Sequence, residues 1–308
     1  MRVLITGAGG FLGGALTRRL AGRGGLRVSA LTRRPAPGLP DAHVVDLADG
    51  AAVTTAVMEL RPDVVIHAAG RAYGTTEDLQ RDNVAAAGNL VSALSRLPGG
   101  TALLLLGSAA QYGVSADRKP WREDAPCAPA GHYAAAKQAA EDLAFAAAAR
   151  GGPRVTALRL FNVVDAAPRG QQVFDTFLRR SAAALAGPPP RQVVMGPLSA
   201  VRDFVALSDV LACVERVIDR GAWGERINVC TGVGRSVRAL IEAAAARLPE
   251  RIAIEEQDGP EGLGWSVGDP ARCGRLLGLA PSGDLGAVLQ GAAEWVAAAA
   301  RDHARSDA

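Results

Sequence analysis

Two side chains four residues apart, Tyr133 and Lys137, form a pair that could transfer a proton. The chain has only 3 tyrosines and two lysines, so chance placement gives roughly 0.02 such pairs. The alanines between and after them predict a helix, on which residues four apart share a face. An ammonium beside a phenol favours the phenolate and lowers the tyrosine pKa from about 10. The pair therefore predicts a general acid or base, against the alternative of an ordinary exposed helix pair.

A serine upstream could complete this chemistry. Ser108 follows the apolar stretch Ala102–Leu106, which predicts a buried strand, and ligands bind at the carboxyl ends of such strands in open parallel sheets. Its hydroxyl can donate a hydrogen bond to a carbonyl oxygen on which negative charge develops. Alone, a serine there is typically a turn residue. Together with Tyr133 and Lys137 it forms a predicted catalytic set.

The elements that must position this set begin with a short apolar strand, Val3–Ile5, and a glycine-rich segment. Gly7, Gly10 and Gly13 have the spacing G-x-x-G-x-x-G. A helix expected from Phe11 to about Ala21 would point its N-terminal N–H groups at a pyrophosphate, which glycines allow to approach closely. Such glycines also form ordinary turns. Between the first strand and first helix of an alternating β/α chain, however, they predict dinucleotide binding.

The end of the second predicted strand, 27–32, indicates which dinucleotide binds. An NAD-binding fold usually places a carboxylate there to hold the ribose 2′-OH. Here Arg33 and Arg34 follow the strand, and no carboxylate appears before Asp41. Arginines suit a 2′-phosphate, so the sequence predicts NADP(H) and disfavours NAD. The alternative is that Arg33 and Arg34 form a solvent-exposed basic turn that binds no cofactor.

Two further predicted strands would border the same cofactor. Residues 43–47 read as a third strand, with Asp46 placed to accept a hydrogen bond from the adenine amino group. Residues 62–70 read as a fourth strand, which ends in Ala68 and Ala69, and these small side chains would let a dinucleotide lie across the strand ends. His67, on this strand, is predicted to be structural rather than catalytic.

Composition excludes several other classes of function. The 308 residues, 49% hydrophobic and 21% charged, are sufficient for one large core or a core plus a smaller lobe. A net charge of +3 predicts no nucleic-acid partner. The four cysteines have no metal-ligand spacing, which predicts reduced thiols and no metal site. The N-terminal strand in place of a signal peptide, and the lack of an apolar run of about 18 residues, predict a cytoplasmic protein without membrane partners.

With these motifs the sequence resembles the extended short-chain dehydrogenase/reductases, the nucleotide-sugar epimerase/dehydratase group, over essentially its whole length. The stretches around Arg202 and Asn228 are most similar to GDP-4-keto-6-deoxymannose reductases and related nucleotide-sugar 4-ketoreductases. The motifs that carry the resemblance are TGAGGFLG at the start, HAAG at His67, DNVAAAGNL at Asn83, GSAAQYG at Ser108, HYAAAKQAAE at Tyr133, LRLFN ending at Asn162, VRDFVALSDV around Arg202 and INVCTGVGRSV around Asn228.

The resemblance implies an α/β fold, a doubly wound parallel Rossmann sheet with a smaller C-terminal substrate-binding lobe. Residues 1–162 would form the NADP-binding domain, its sheet completed by a strand near 226–230, and residues 163–308 mainly the substrate lobe. Members of the group commonly pair as homodimers. The helices near 83–98 and 133–149, rich in small residues that allow close packing, are the expected interface.

The resemblance also assigns roles to individual residues. Ser108 would polarise the substrate carbonyl, Tyr133 would donate the proton, and Lys137 would lower the tyrosine pKa and hold the nicotinamide ribose. The substrate would contact Ala109 and Asn162, and Arg202 would hold a nucleotide diphosphate. The expected cofactor-binding residues are Gly7, Gly10, Phe11, Leu12, Gly13, Arg33, Arg34, Asp46, Leu47, Ala68, Ala69, Tyr133 and Lys137.

Departures from the family pattern narrow the chemistry. Dehydratases follow the catalytic Ser or Thr with an Asp-Glu pair that eliminates water, and 3,5-epimerising reductases place a cysteine there. Here Ala109 and Ala110 follow Ser108. The residues that remain can transfer a hydride and a proton.

Other departures concern the substrate. The segment 259–262, where the family often carries a second diphosphate-binding arginine, contains Glu261, and residues 163–170 replace the usual Gly-Pro-Gly segment. Gln111 stands where a hydrophobic residue or Glu is common. The sequence therefore leaves open an unusual sugar nucleotide, or a substrate that is not a sugar nucleotide.

Three functions follow from these observations. The leading hypothesis is an NADPH-dependent ketoreductase that acts on a nucleotide-linked 4-keto-6-deoxysugar, with hydride from NADPH and a proton from Tyr133. The second is a nucleotide-sugar 4-epimerase with tightly bound NAD, which the arginines at 33 and 34 disfavour. The third is a non-catalytic dinucleotide-binding module, a class that typically loses the tyrosine or the lysine.

Overall fold

The structure, a computed structural model, describes residues 1–98, 100–259 and 264–306, through which strands and helices alternate. The strands in these residues are β1 (Arg2–Thr6), β2 (Arg27–Thr32), β3 (Ala42–Val44), β4 (Val64–His67), β5 (Ala102–Ser108), β6 (Arg154–Leu160), β7 (Asn162–Val164), β8 (Gln192–Met195), β9 (Val201–Ala206), β10 (Arg226–Val229), β11 (Gly234–Ser236), β12 (Ala253–Glu256) and β13 (Trp265–Ser266).

Helices follow most of the strands of the first half of the chain. A π-helical segment, Gln80–Ala85, joins α3 to α4 without a break, and a 3₁₀ turn, Ala109–Tyr112, follows β5. The α-helices are α1 (Phe11–Ala21), α2 (Gly50–Leu60), α3 (Thr76–Leu79), α4 (Ala86–Leu94), α5 (His132–Ala149), α6 (Val173–Ala186), α7 (Leu207–Arg220), α8 (Val237–Ala245), α9 (Ala271–Leu277) and α10 (Gly286–Ser306).

Seven strands form one parallel sheet in the order β10-β6-β5-β4-β1-β2-β3. The chain starts in the middle of this sheet and builds outward in both directions, so the strand order reverses between β1 and β4. In open α/β sheets a ligand crevice forms at this point, outside the carboxyl ends of the strands. The sheet confirms the predicted α/β doubly wound fold.

Both faces of this sheet are covered by helices, which explains why its strands are almost continuously apolar. In β1 the side chains alternate, so that Val3 and Ile5 pack into the core on one face and Leu4 into the core on the other. Helices α1, α7 and α9 contribute to the first core, and α2, α4 and α5 to the second.

A separate apolar core lies outside this sheet. It combines Phe174 and Phe177 of α6, Leu240 of α8 and Val296 of α10 with side chains of β8 and β9. The chain after residue 163 does not stay in this lobe, because α7, β10 and α9 return to the large sheet. The domain boundary at residue 162 stays a prediction.

Local signals explain where the element bounds agree and where they differ from the predictions. The observed α1 and β2 have the predicted bounds. The third strand is shorter than predicted and ends at Val44, although the Val45 N–H still bonds the Thr32 carbonyl at 2.8 Å. The helix expected at Asn83 begins earlier, at Thr76, because Thr75 and Asp78 form a reciprocal capping box.

No helix in the described part of the chain is long and apolar enough to cross a membrane. The same residues contain no group of three His, Cys, Asp or Glu side chains arranged to hold a metal ion. All four cysteines are free thiols, and the Sγ atoms of Cys213 and Cys273 lie 3.7 Å apart in the core.

Candidate active site

The glycine-rich loop after β1 makes two close backbone contacts: Gly7 packs against the backbone of Ala69, and Gly13, in α1, packs against the backbone of Gly7. Gly7 has a φ of +68°, and a Cβ there would lie 2.6 Å from Cα of Ala69. A Cβ on Gly13 would lie 2.2 Å from the Gly7 carbonyl oxygen. Both positions therefore require glycine. Gly13 itself is buried beneath the loop, so its contribution is to bring the N-terminus of α1 close to the crevice.

A cavity of about 440 Å³ lies at the ends of β1, β2 and β4, within the usual size range of cofactor sites. Its lining includes eight of the predicted cofactor-binding residues: Gly7, Gly10, Arg33, Arg34, Asp46, Leu47, Ala68 and Ala69.

Charged side chains at the mouth of this cavity are partly engaged with one another. Arg33 Nη1 lies 3.1 Å from Asp82 Oδ2, and Arg71 and Arg81 bind the same carboxylate. Arg34 is exposed and has no partner among the described residues. The guanidiniums of Arg33 and Arg34 fit a 2′-phosphate, but Asp82 partly neutralises the charge of Arg33.

The remaining polar groups of the cavity also fit a dinucleotide. The Thr32 hydroxyl, on a residue only 4% exposed, borders the cavity and has no partner among the described residues. Asp46 accepts hydrogen bonds from the Ala48 N–H and from Arg81, so the expected adenine contact would share this carboxylate. Sequence reasoning gave no role to Thr32 or to Asp82, although Asp82 is the first residue of the DNVAAAGNL motif.

A second cavity, of about 640 Å³, shares Gly10, Ala68, Ala69 and Gly70 with the first, so the two form one groove. All three predicted catalytic residues line it: Ser108 at the end of β5, and Tyr133 and Lys137 on the first turns of α5. Phe11 and Leu12, predicted to bind cofactor, also line this second part.

Ser108 is oriented by its own turn. Its hydroxyl oxygen accepts from the Ala110 N–H at 3.2 Å, and its N–H donates to Gln111 Oε1 at 3.1 Å. The hydroxyl also has one proton to donate, which bonds Tyr133 in this structure and which would have to turn to a carbonyl oxygen in order to polarise it.

Lys137 reaches the floor of the groove, where Nζ donates to the Leu106 carbonyl at 3.0 Å. Burial lowers the pKa of Lys137 to about 8. Burial raises the pKa of Tyr133, a hydrogen bond with Ser108 opposes this, and the Tyr73 phenol adds to the increase. The predicted lowering of the tyrosine pKa is therefore wrong for this structure, because desolvation, which raises the pKa, is the largest influence on Tyr133.

Asn83 is a residue near this site to which the sequence analysis gave no role. It lies in the π-helical segment, a form often found at functional sites. Its side-chain oxygen accepts from the Arg71 N–H at 3.2 Å, and its amide donates to the Arg71 and Leu79 carbonyls. Asn83 therefore fixes the loop after β4, which borders both cavities.

The predicted substrate-binding residues Ala109, Asn162 and Arg202 all line the second cavity. Burial lowers the pKa of Arg202, and its Nη1 donates to the Val201 carbonyl at 2.8 Å. Among the described residues it has no acidic partner. Adjacent Asp203 is fully buried and accepts from the N–H groups of Thr231, Gly232 and Gly268, so its role is to hold loops.

A second arginine lies opposite the first across two antiparallel strands. Arg235 of β11 is in register with Arg202 of β9, so both side chains leave the same face. Arg235 donates to the Gly283 carbonyl at 2.6 Å, while its buried Nη1 has no partner among the described residues. The sequence gave no signal for this pairing. The Glu261 departure lies outside the described residues.

Similarity to known proteins covers most of the chain. A sequence model of the NAD dependent epimerase/dehydratase family matches residues 3–230. A dTDP-6-deoxy-L-talose 4-dehydrogenase (NAD(P)(+)) from Kitasatospora kifunensis is 32% identical over 289 residues, 91% of each chain. A GDP-6-deoxy-D-mannose reductase from Pseudomonas aeruginosa is 30% identical over 252 residues, 79% of each chain.

Among solved structures, that of RMD from Pseudomonas aeruginosa complexed with NADPH matches with a TM-score of 0.84 and 26% identity, covering 98% of this chain and 99% of the other. These relatives are NAD(P)-dependent enzymes of the short-chain dehydrogenase/reductase type, several of which modify nucleotide sugars. The family model, the sequence relatives and the fold agree, and this chain belongs to the NAD-dependent epimerase/dehydratase family.

Proposed function

We propose that this protein is an NADPH-dependent ketoreductase that acts on a nucleotide-linked 4-keto-6-deoxysugar. The observation that carries the proposal is the makeup of the second cavity. Ser108, Tyr133 and Lys137 open into it together, and Ala109 and Ala110 occupy the places where a dehydratase needs an acid and a base. These groups are sufficient for carbonyl reduction.

Each residue has a step that its environment suits. NADPH, when bound, supplies the hydride to the carbonyl carbon. Ser108 donates a hydrogen bond to the carbonyl oxygen, and Tyr133 gives its phenolic proton to that oxygen. The phenolate formed is stabilised by the Lys137 ammonium. A tyrosine phenol is protonated at neutral pH even at its ordinary pKa of about 10, so Tyr133, whose pKa burial raises, starts as the proton donor.

The residues that would hold NADPH are the groove residues already described. The start of α1 and the glycine loop would face the pyrophosphate, and Arg33 and Arg34 would face the 2′-phosphate. Lys137, which lines the second cavity beside the shared Gly70, would hold the nicotinamide ribose. The structural relative complexed with NADPH supports this choice of cofactor.

The substrate side of the groove combines cationic and apolar groups. Arg202 lines the cavity, and Arg235 is in register with it on the neighbouring strand. Neither has an acidic partner among the described residues, and like charges opposite each other are destabilising, so an anion beside them would be favourable. A nucleotide diphosphate provides that anion. Phe161, Val163 and Phe174 line the same cavity, and such apolar walls suit the C6 methyl group of a 6-deoxysugar.

The test is NADPH oxidation, followed by absorbance, with GDP-, dTDP- and UDP-linked 4-keto-6-deoxysugars. We expect turnover with at least one of them and a loss of about 100- to 10,000-fold in Tyr133→Phe, because general acid catalysis supplies about this factor. Tyr133→Phe should still bind NADPH, as judged by nicotinamide fluorescence, which controls for folding. Absence of NADPH oxidation with all three would contradict the proposal.

A nucleotide-sugar 4-epimerase is the second candidate, since it uses the same three residues with a tightly held NAD. The pairing of Arg33 with Asp82 favours it, because this pairing weakens the case for a 2′-phosphate. Purified protein that carries one NAD per chain and turns over a nucleotide sugar without net cofactor consumption would establish the epimerase. A non-catalytic module is disfavoured by the three residues opening into one cavity.

We also propose that the protein is a homodimer through the helices near 83–98 and 133–149. Helices α4 and α5 are rich in alanine and pack beside each other on one face of the sheet. Sedimentation at micromolar concentration tests this proposal, and a monomer would contradict it.

A further inference from the structure

A buried network of polar side chains lies directly behind Ser108. Gln111, which is fully buried, accepts the Ser108 N–H on Oε1 at 3.1 Å. Its Nε2 donates to Glu141 Oε2 at 2.9 Å and to Gln138 Oε1 at 3.0 Å. The Gln111 amide therefore links the backbone of Ser108 to a carboxylate on α5.

That carboxylate is firmly held. Glu141 is 0% exposed and receives two bonds from Arg159, at 2.7 and 3.1 Å, and one from Arg226 at 2.6 Å. Burial alone would raise the pKa of Glu141, but the hydrogen bonds and charges of these arginines hold it below its usual range. Arg159 in turn lies over the Tyr112 ring, 4.8 Å from its centroid. The acceptor for Gln111 is thus an ionised group with a fixed position.

The same helix face carries the other catalytic candidates. Tyr133, Lys137 and Glu141 follow one another at intervals of four residues and share one side of α5. The helix is therefore joined to the Ser108 strand end at two points. Lys137 binds the Leu106 carbonyl, and Glu141 binds Gln111, which holds the Ser108 N–H.

We propose that Gln111 is a positioning residue that acts through Ser108, by fixing the serine hydroxyl relative to the Tyr133 phenol. A primary amide suits this position, because it accepts the Ser108 N–H and donates to the Glu141 carboxylate at once. A hydrophobic residue offers neither, and an ionised glutamate offers no donor. The proposal rests on Ser108 contacting the reacting oxygen, as in the proposed function, and applies to reduction and to epimerisation alike.

The experiment is a double-mutant cycle with Gln111→Leu, Ser108→Ala and the combined variant. We expect Gln111→Leu to lower kcat about tenfold or more while KM and NADPH affinity stay within about twofold, since alignment rather than binding is lost. The combined variant should be no slower than Ser108→Ala alone, because both changes remove one contribution. Gln138→Leu is the matched control, since it removes a neighbouring amide of the network that has no bond to Ser108.

Two readouts separate positioning from simple loss of folded protein. The primary isotope effect from 4-deuterated NADPH should rise in Gln111→Leu, because a misaligned serine slows the hydride step, whereas a smaller folded fraction leaves it unchanged. Without substrate, exchange of the Ser108 amide hydrogen should accelerate in Gln111→Leu and not in Gln138→Leu.

Additive losses in the cycle, or a kcat of Gln111→Leu within twofold of the wild type, would overturn the proposal. If the wild type oxidises no NADPH, the proposed reductase fails, and the cycle is then run on epimerisation. The amide-exchange measurement decides in either case, and an unchanged Ser108 exchange rate in Gln111→Leu would also overturn the proposal.

Discussion

The two ends of the groove are held by different kinds of polar contact. At the catalytic end, Glu141 and Arg159 are 0% and 3% exposed, and the buried Gln111 links them to the Ser108 N–H. At the other end, the first cavity where the adenine would lie, the Arg33, Arg71 and Arg81 side chains are 48%, 34% and 45% exposed and share Asp82, which is 12% exposed. Buried pairs keep one geometry, whereas exposed pairs contribute little and exchange partners easily. We therefore expect the geometry of the catalytic end to tolerate few changes, and the preference for one cofactor to respond to single substitutions.

The largest expected difference between the two ends of the groove is in how much a substitution lowers the free energy of unfolding. Glu141→Gln would leave Arg159 buried without its counter-charge, so we expect the free energy of unfolding to fall by about 3 to 5 kcal/mol. Asp82→Asn removes a carboxylate from the more exposed cluster and should cost about 1 kcal/mol or less. Urea denaturation of the two variants and the wild type measures both values. Equal losses would show that the ends are held alike.

The second contrast concerns pH and comes from Lys137. Its pKa of about 8 means that the free enzyme loses this ammonium as the pH rises through 8. Contact with the nicotinamide ribose favours the charged form, so affinity for NADPH should be full below pH 8 and fall above it. We expect up to about a tenfold decrease between pH 7 and 9, measured by fluorescence titration. In Lys137→Met this decrease should disappear, and if it persists, another group is responsible.

The features of the groove that the sequence predicts are local in the chain, and those that it does not predict join distant residues. The glycine loop, Ser108 and the Tyr133–Lys137 spacing depend on local backbone and helix geometry. Residues close in the sequence determine this geometry, so the sequence predicts it. The tyrosine pKa was predicted in the wrong direction because burial is a property of the folded pocket. Asp82 beside Arg33, Arg235 opposite Arg202 and Glu141 beneath Gln111 join residues 30 to 49 positions apart. A single sequence without spacing rules for such pairs gives no sign of them.

Cofactor preference tests the adenine end directly. If Arg33 and Arg34 hold a 2′-phosphate, the wild type should bind NADPH at least tenfold more tightly than NADH, about 1.4 kcal/mol. The double variant Arg33→Ala, Arg34→Ala should lose this preference while its NADH affinity changes little. Parallel titrations by nicotinamide fluorescence give both ratios. Equal binding of the two cofactors by the wild type would favour the epimerase.

The smallest expected effect distinguishes the two arginines from their acidic neighbour. Asp82 accepts from Arg33 and carries a negative charge into the lining of the adenine cavity. A 2′-phosphate must compete with this carboxylate for the guanidinium, so Asp82→Asn should raise the preference for NADPH over NADH. A partly exposed ion pair contributes about 0.2 to 1 kcal/mol, which predicts an increase of about 1.4- to fivefold. An unchanged ratio would mean that Arg33 does not face the 2′ position and that Arg34 alone decides the preference.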